Sequence, residues 1–192
     1  MVISDMELTH RQQEIVDRAL HLAAQSGIQS LTIKNLSSAI GVTEPAIYRH
    51  FKNKSEIVKS MIESFDLAVP VETDALSGWP AVRAFIVARF EQVIAKPDLA
   101  KVMFAEELFM ADAEFADLMF AMMHKHKDII GKELQLAQAN GGMRADLAAD
   151  MLFRIIMGPV RLLVKQWGMS NAAFDLRRKG AELLDSLEKI LK

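Results

Sequence analysis

The side chains best suited to bind another molecule are cationic and aromatic groups that crowd into one short stretch of the sequence. They are Tyr48, Arg49, His50, Lys52 and Lys54, and each can donate a hydrogen bond to an anion. Positions 34–59 contain five Lys or Arg residues against two acids, a local charge of +3, although the whole chain has a formal net charge of −2. Because the distribution of charge matters more than its sum, this stretch predicts a surface that binds a polyanion.

The sequence lacks the residues that are characteristic of most enzyme classes. There is no cysteine, which excludes disulfides, thiol nucleophiles and cysteine-ligated zinc. The motifs Gly-x-x-x-x-Gly-Lys, His-Glu-x-x-His and Gly-x-Ser-x-Gly are absent as well. His124 and His126 stand two residues apart, about 200° around a helix, and therefore cannot both face one metal ion. We expect no cofactor, no metal and no catalysis, with an enzyme built on scattered Glu/His pairs as a distant alternative.

Helix signals run through almost the whole chain and predict an all-α fold of two domains. An N-terminal helix-turn-helix domain is expected over 9–65, with its motif at 32–51, and a larger helical effector-binding and dimerisation domain over 66–192. The predicted helix starts in the first domain are Thr9, Thr32, Thr43 and Asn53, and the predicted stops are Gly27 and Gly41. The later helices are predicted over 79–95, 98–110, 113–140, from about 146 with a kink at Gly158–Pro159, and after Asn171.

Two short helices joined by a turn at Gly41 have the arrangement of a helix-turn-helix. With Thr43 as the cap, Pro45 is the second residue of the second helix, where its missing amide proton leaves no intrahelical bond unmade. Ile47 and Phe51, four residues apart, are expected on the buried side. The opposite side then faces solvent, and a helix of this size fits the major groove of DNA, about 12 Å wide.

These residues resemble the N-terminal DNA-binding domain of the tetracycline-repressor (TetR) family of bacterial transcription regulators. The features that match, all in register, are Thr32, Gly41-Val42-Thr43, Tyr48, Phe51 and Lys54. The resemblance implies a homodimer that binds a palindromic operator in double-stranded DNA, usually as a repressor, and that is released by a small molecule. It also implies phosphate or backbone contacts from Thr32, Thr43, Tyr48, His50 and Lys54, and base contacts from Glu44, Pro45, Ala46 and Arg49. Lys34 and Lys52 complete the predicted DNA-binding set.

The second domain is rich in methionine and phenylalanine, which suit a pocket for apolar ligands, although ordinary core packing is the alternative. Charged residues among these apolar neighbours are expected to form salt bridges first and to orient a polar ligand group second. The predicted pocket residues are Arg89, Met103, Phe104, Glu107, Met119, Met122, Met123, Arg154 and Ile155.

The last two helices carry more apolar positions than one side of a bundle requires, which predicts a dimer interface. The residues assigned to it are Leu152, Ile156, Val160, Leu163, Trp167, Leu183, Leu187 and Ile190. A two-fold dimer would place its recognition helices about 34–36 Å apart. A DNA-bound scaffold controlled by a protein partner is the alternative, and it predicts a filled C-terminal core. With no signal peptide or membrane-spanning run in the sequence, we expect a cytoplasmic protein that joins the nucleoid when bound to DNA.

Overall fold

The computed structural model describes residues 8–66, 76–103, 109–110 and 112–192, and within these ranges the chain forms nine α-helices and no strand. The helices are α1 His10–Ser26, α2 Ile33–Ile40, α3 Glu44–Tyr48, α4 Lys54–Glu63, α5 Trp79–Ala95, α6 Asp98–Val102, α7 Ala113–Ala139, α8 Ala149–Met169 and α9 Leu176–Leu191. The all-α prediction is confirmed. Across the same ranges, no helix is both long enough and apolar enough to cross a bilayer.

The first four helices form a small cluster built on α1. The capping box at Thr9 is present, since its hydroxyl accepts from the Gln12 amide while the Gln12 side chain accepts from the Thr9 amide. Helices α2 and α4 pack against α1, and α3 packs against α2. Their shared core includes Ile15, Leu36 and Ile57, each at most 1% exposed. This arrangement fixes the short α3 on the outside of the cluster.

Helices α5, α7, α8 and α9 form a bundle through the contacts of α5 with α7 and α9, and of α8 with α7 and α9. The two parts of the chain meet where α6 packs on α1 and where α4 packs on α7. These contacts do not show where one folding unit ends and the next begins. The domain boundary between residues 65 and 66 therefore stays a prediction.

Most helix ends lie close to the positions predicted from the sequence. Three details differ from the prediction. A 3-10 turn at Ile28–Ser30 follows α1. Helix α6 ends at Val102; the rest of its predicted span falls mainly on 104–108, outside the described residues, and Phe109 and Met110 lie in a turn. Helix α8 starts at Ala149 and continues through Pro159 instead of being interrupted there.

Candidate DNA-contacting surface and effector cavity

The turn between α2 and α3 depends on Gly41. Its φ of 80° and ψ of 32° are left-handed, a region that disfavours side chains with a Cβ. The amides of Gly41 and Val42 donate to the Ser37 carbonyl at 2.9 and 3.0 Å, which closes the end of α2. This turn changes the direction of the chain before α3 begins at Glu44. Pro45 lies in the first turn of α3, as predicted.

Helix α3 is held by its buried side and exposes the other. Ile47 and Phe51 are 1% and 4% exposed, which confirms the predicted orientation, while Tyr48 is 51% exposed. The side chain of Gln12 donates to the His50 carbonyl at 3.1 Å and ties the end of α3 to the start of α1. A five-residue helix is therefore positioned by packing and by one bond from α1.

The residues predicted to contact DNA lie together on α2, α3, the start of α4 and the turns between them. Those exposed to solvent are Thr32, Lys34, Thr43, Glu44, Pro45, Tyr48, Arg49, Lys52 and Lys54, while Ala46 and His50 are half-buried. No observation tests their contact with DNA, so that role stays a prediction.

The two predicted cap threonines differ in a way the sequence did not indicate. The Thr32 hydroxyl accepts from the Asn35 amide at 3.1 Å and stabilises the start of α2. The Thr43 hydroxyl makes no such bond to α3, although Thr43 occupies the cap position. The cap bond uses the hydroxyl oxygen as acceptor, so the O–H of either threonine can still donate to an external acceptor such as a phosphate oxygen.

A cavity of about 470 Å³ lies in the larger part of the chain, within the size range of small-molecule sites. The described residues that line it are Phe65, Phe85, Ile86, Arg89, Met103, Met119, Phe120, Met122, Met123, His124, His126, Lys127, Phe153, Arg154, Met157, Gly158, Val160 and Arg161. Six of the predicted pocket residues are among them: Arg89, Met103, Met119, Met122, Met123 and Arg154. Ile155 is half-buried and does not line the cavity, and Phe104 and Glu107 lie outside the described residues.

Sequence reasoning missed two cavity residues that link it to the rest of the chain. Phe65 follows α4, and its wholly buried ring packs edge-on against Phe109, with centroids 6.1 Å apart. His126 was considered only as a metal ligand, and its ring lies edge-on to Phe85 at 5.4 Å. These contacts join residues that are far apart in the sequence, so no local spacing could indicate them.

Arg89 is the most deeply buried charge in the described part of the chain, at 5% exposed. Its Nη1 donates to the Phe65 carbonyl and, at 2.7 Å, to Gln92 Oε1, while its guanidinium carbon lies 5.6 Å from the Phe85 ring centroid. Burial lowers the pKa of Arg89 to about 10, and the nearby Asp66 only partly opposes this. Arg89 therefore remains cationic at neutral pH.

Asp66 lies close to Arg89 and has two side-chain partners on α7. His126 Nε2 is 2.8 Å from Asp66 Oδ1, and Lys125 Nζ is 2.5 Å from Asp66 Oδ2. Burial would raise the pKa of Asp66, but the hydrogen bonds from His126 and Lys125 outweigh it, so the pKa is lowered. The carboxylate is thus ionised at neutral pH. The described residues contain no cluster of three or more potential metal ligands.

Most of the residues assigned to a dimer interface are buried within the single chain. Leu152, Ile156, Val160, Trp167 and Leu187 are at most 6% exposed within the single chain. Their periodicity reflects the core of the bundle, so they have almost no surface to offer a partner. Leu163 and Leu183 are half-buried, and Ile190 is 65% exposed.

Two family models match the sequence. The one described as bacterial regulatory proteins, tetR family, matches residues 15–61. The one for the C-terminal region of YsiA-like proteins matches residues 55–189, well over half of the chain. The first match spans the helix-turn-helix and the second includes every helix around the cavity.

Relatives of similar length are transcription regulators. The probable acrEF/envCD operon repressor of Escherichia coli (strain K12) is 26% identical over 191 residues, which cover 94% of this chain and 86% of the repressor. The HTH-type transcriptional regulator AcrR of Shigella flexneri is 23% identical over 189 residues, covering 92% and 86% respectively.

Solved structures share the fold. FadR, the fatty acid degradation regulator of Bacillus halodurans, superposes with a TM-score of 0.80 at 19% identity, covering 95% of this chain and 96% of that one. FadR from Bacillus subtilis in complex with stearoyl-CoA superposes with a TM-score of 0.78 at 19% identity, covering 96% and 100%. The helix-turn-helix, the helical C-terminal part and the family models agree: the chain belongs to the TetR family of bacterial regulatory proteins, which are DNA-binding transcription regulators.

Proposed function

We propose that this protein is a homodimeric repressor that leaves its operator when a small, largely apolar molecule fills the cavity. The observation that carries the proposal is that Phe65, the residue just beyond α4, forms part of the cavity wall. Helix α4 directly follows the recognition helix α3, so a change at the cavity can be transmitted to the DNA-contacting surface. The ligand drives this change only if it binds the two conformations with different affinity.

The cavity favours a small molecule over a protein partner as the controlling signal. Control by a partner protein was expected to go with a filled C-terminal core, whereas a space of about 470 Å³ lies there. Met103, Met119 and Met122 supply unbranched, adaptable side chains to its wall, and such side chains accommodate apolar ligands of varied shape. The FadR structure from Bacillus subtilis shows that a neighbour with this fold binds stearoyl-CoA.

For DNA, we propose that α3 enters the major groove. Glu44, Pro45, Ala46 and Arg49 would meet base edges there. The phosphate contacts would come from the surrounding side chains Thr32, Lys34, Thr43, Tyr48, His50, Lys52 and Lys54. These contacts position the helix, and the base contacts set the sequence preference.

For the dimer, we propose a stripe of α8 that faces away from the core. Met151, Leu162 and Met169 recur at spacings of eleven and seven residues, which places them on one side of the helix. Leu162 and Met169 are 56% and 74% exposed. Ile190 of α9 adds a further exposed apolar side chain, at 65%. A second copy of the chain would cover this surface in a two-fold arrangement.

The experiment that tests the function is selection of genomic fragments with the purified protein, followed by measurement of its molar mass in solution. We expect dimers that retain fragments with two-fold symmetric half-sites about one DNA turn apart, with an affinity that falls steeply as salt rises. A protein that is monomeric at micromolar concentration, or that shows no salt-sensitive retention of any duplex, would contradict the proposal.

A further inference from the structure

The end of α4 is bound by two side chains that project from α5. Gln92 Nε2 donates to the Ser64 carbonyl at 3.0 Å, and Arg89 donates to the Phe65 carbonyl. Arg89 and Gln92 are also joined to each other at 2.7 Å. Helix ends leave carbonyl oxygens without intrahelical partners, and here α5 supplies the missing donors.

The next residue is bound from α7. Asp66 accepts from His126 at 2.8 Å and from Lys125 at 2.5 Å. His126 Nε2 also lies 3.5 Å from Arg89 Nη2, so the two sets of contacts adjoin. We call the segment 64–66, together with Arg89, Gln92 and His126, the α4 latch. Two of its side chains, Arg89 and His126, form part of the cavity wall.

Basic side chains predominate in the described part of the cavity wall. Every titratable side chain among its described lining residues is basic: Arg89, His124, His126, Lys127, Arg154 and Arg161. Asp150 offsets part of this charge, since it pairs with Lys127 and Arg154. In the described part of the chain, the hydrogen-bond acceptors of Arg89 are neutral oxygens of Phe65 and Gln92. A buried cation that donates to neutral groups leaves room for a stronger, charged acceptor.

We propose that an effector opens the α4 latch by bringing one anionic group, on an otherwise apolar body, to Arg89 and His126. This inference rests on the proposed function and narrows its effector from a largely apolar molecule to an amphipathic anion. The anion competes with the Phe65 carbonyl for Arg89 and with Asp66 for His126, which frees the end of α4. An uncharged molecule of the same shape fills the cavity but leaves the latch closed.

The reason is that only the anion distinguishes the open from the closed latch. Apolar contacts with the Met and Phe side chains of the wall are made in both states, so they contribute affinity without shifting the equilibrium. Both hydrogens of Arg89 Nη1 are donated to the Phe65 carbonyl and Gln92 Oε1, so an anion that binds at Nη1 displaces one of these oxygens. The apolar contacts thus provide affinity for the ligand. The interaction of the anion with Arg89 shifts the equilibrium towards the open latch.

The test is hydrogen exchange of the Ser64, Phe65 and Asp66 amides, which donate to the carbonyls of Ser60, Ile62 and Glu63. Exchange is measured on the DNA-free protein, first alone and then with octanoate, octyl phosphate or 1-octanol. Calorimetry measures the binding of each compound. We expect either anion to accelerate exchange of these amides by about ten- to a hundredfold, the range that corresponds to one hydrogen bond made by a charged group. 1-Octanol should bind without this effect.

Two variants distinguish a role of Arg89 in anion binding from a purely structural role. In Arg89→Met these amides should exchange fast without ligand, and the anions should add nothing. In Gln92→Leu the bond to Ser64 is lost but the cation remains, so the difference between octanoate and 1-octanol should persist. Equal effects of anion and alcohol on the parent protein, failure of both anions to bind, or an unchanged anion response in folded Arg89→Met would overturn the inference. No DNA is present, so these outcomes are independent of whether genomic fragments are retained.

Discussion

Replacing Lys54 by alanine should weaken DNA binding through the salt-dependent part of the affinity alone. Lys54 is exposed as the first residue of α4, where a cation opposes the helix dipole. Stability does not favour a lysine at this helix start, and the proposed role of Lys54 is contact with a phosphate. Each phosphate contact contributes about 0.9 to the slope of log K against log salt, so a dimer that loses two contacts has a slope shallower by about 1.8.

The consequence can be stated as a ratio of affinities. Between 50 and 200 mM salt, a slope difference of about 1.8 makes the affinity of the parent fall about twelvefold more than that of the variant. Fluorescence anisotropy with a selected genomic fragment at four salt concentrations measures both slopes. The free energy of unfolding, from urea titration, should stay equal or rise by a few tenths of a kcal/mol, because the unfavourable interaction with the dipole is removed.

The matched control is Lys132→Ala, which removes an exposed lysine from α7 in the C-terminal part of the chain. Its salt slope should equal that of the parent. Arg49→Ala should reduce the slope and also alter the sequence preference, because Arg49 is assigned to base edges. Equal slopes for the parent and Lys54→Ala, on a fragment that both proteins bind, would refute the assignment of Lys54 to a phosphate.

Two further predictions compare matched pairs of substitutions. Thr32→Ala should lower the free energy of unfolding by about 1 kcal/mol because it removes a cap bond, whereas Thr43→Ala should leave stability unchanged and reduce DNA affinity. Thermal unfolding and anisotropy measure the two effects, and equal stability losses would contradict the distinction. Gly180→Ala places a Cβ 2.4 Å from Phe90 Cε2 and should destabilise by about 1–3 kcal/mol. Gly131→Ala meets nothing within 4 Å and should stabilise by about 0.5–1 kcal/mol, so a urea titration that ranks the two in the opposite order would count against this packing.

Features coded by neighbouring residues could be predicted from the sequence. The helix start at Thr9, the helix stop at Gly41 and the helix Trp79–Ala95 all depend on residues a few positions apart, and all are confirmed. The buried face of α3 also followed from the spacing of Ile47 and Phe51. Local hydrogen bonding and side-chain spacing determine these features without reference to the rest of the fold.

Features that depend on what covers a surface could not be predicted. The spacing of α8 placed Leu152 and Ile156 on one apolar face, but it could not distinguish the core of one chain, where both are buried, from a contact between two. The contact between Arg89 and the Phe65 carbonyl joins residues 24 positions apart on different helices. Its existence depends on how α4 and α5 pack, which no local pattern encodes.

The contacts between the two parts of the chain differ in burial, and this difference identifies which of them can transmit a signal. The pair Lys96–Asp17, at 2.7 Å, has both side chains more than 40% exposed, and exposed ion pairs contribute only about 0–1 kcal/mol. The bond from Arg89 to Phe65 is buried, where the cost of losing a partner is larger. The exposed pair at α1 therefore contributes little to holding the two parts together, whereas the buried bond joins α5 directly to the end of α4. We therefore expect a substitution at Arg89 to affect α3 more strongly than a substitution at the exposed pair.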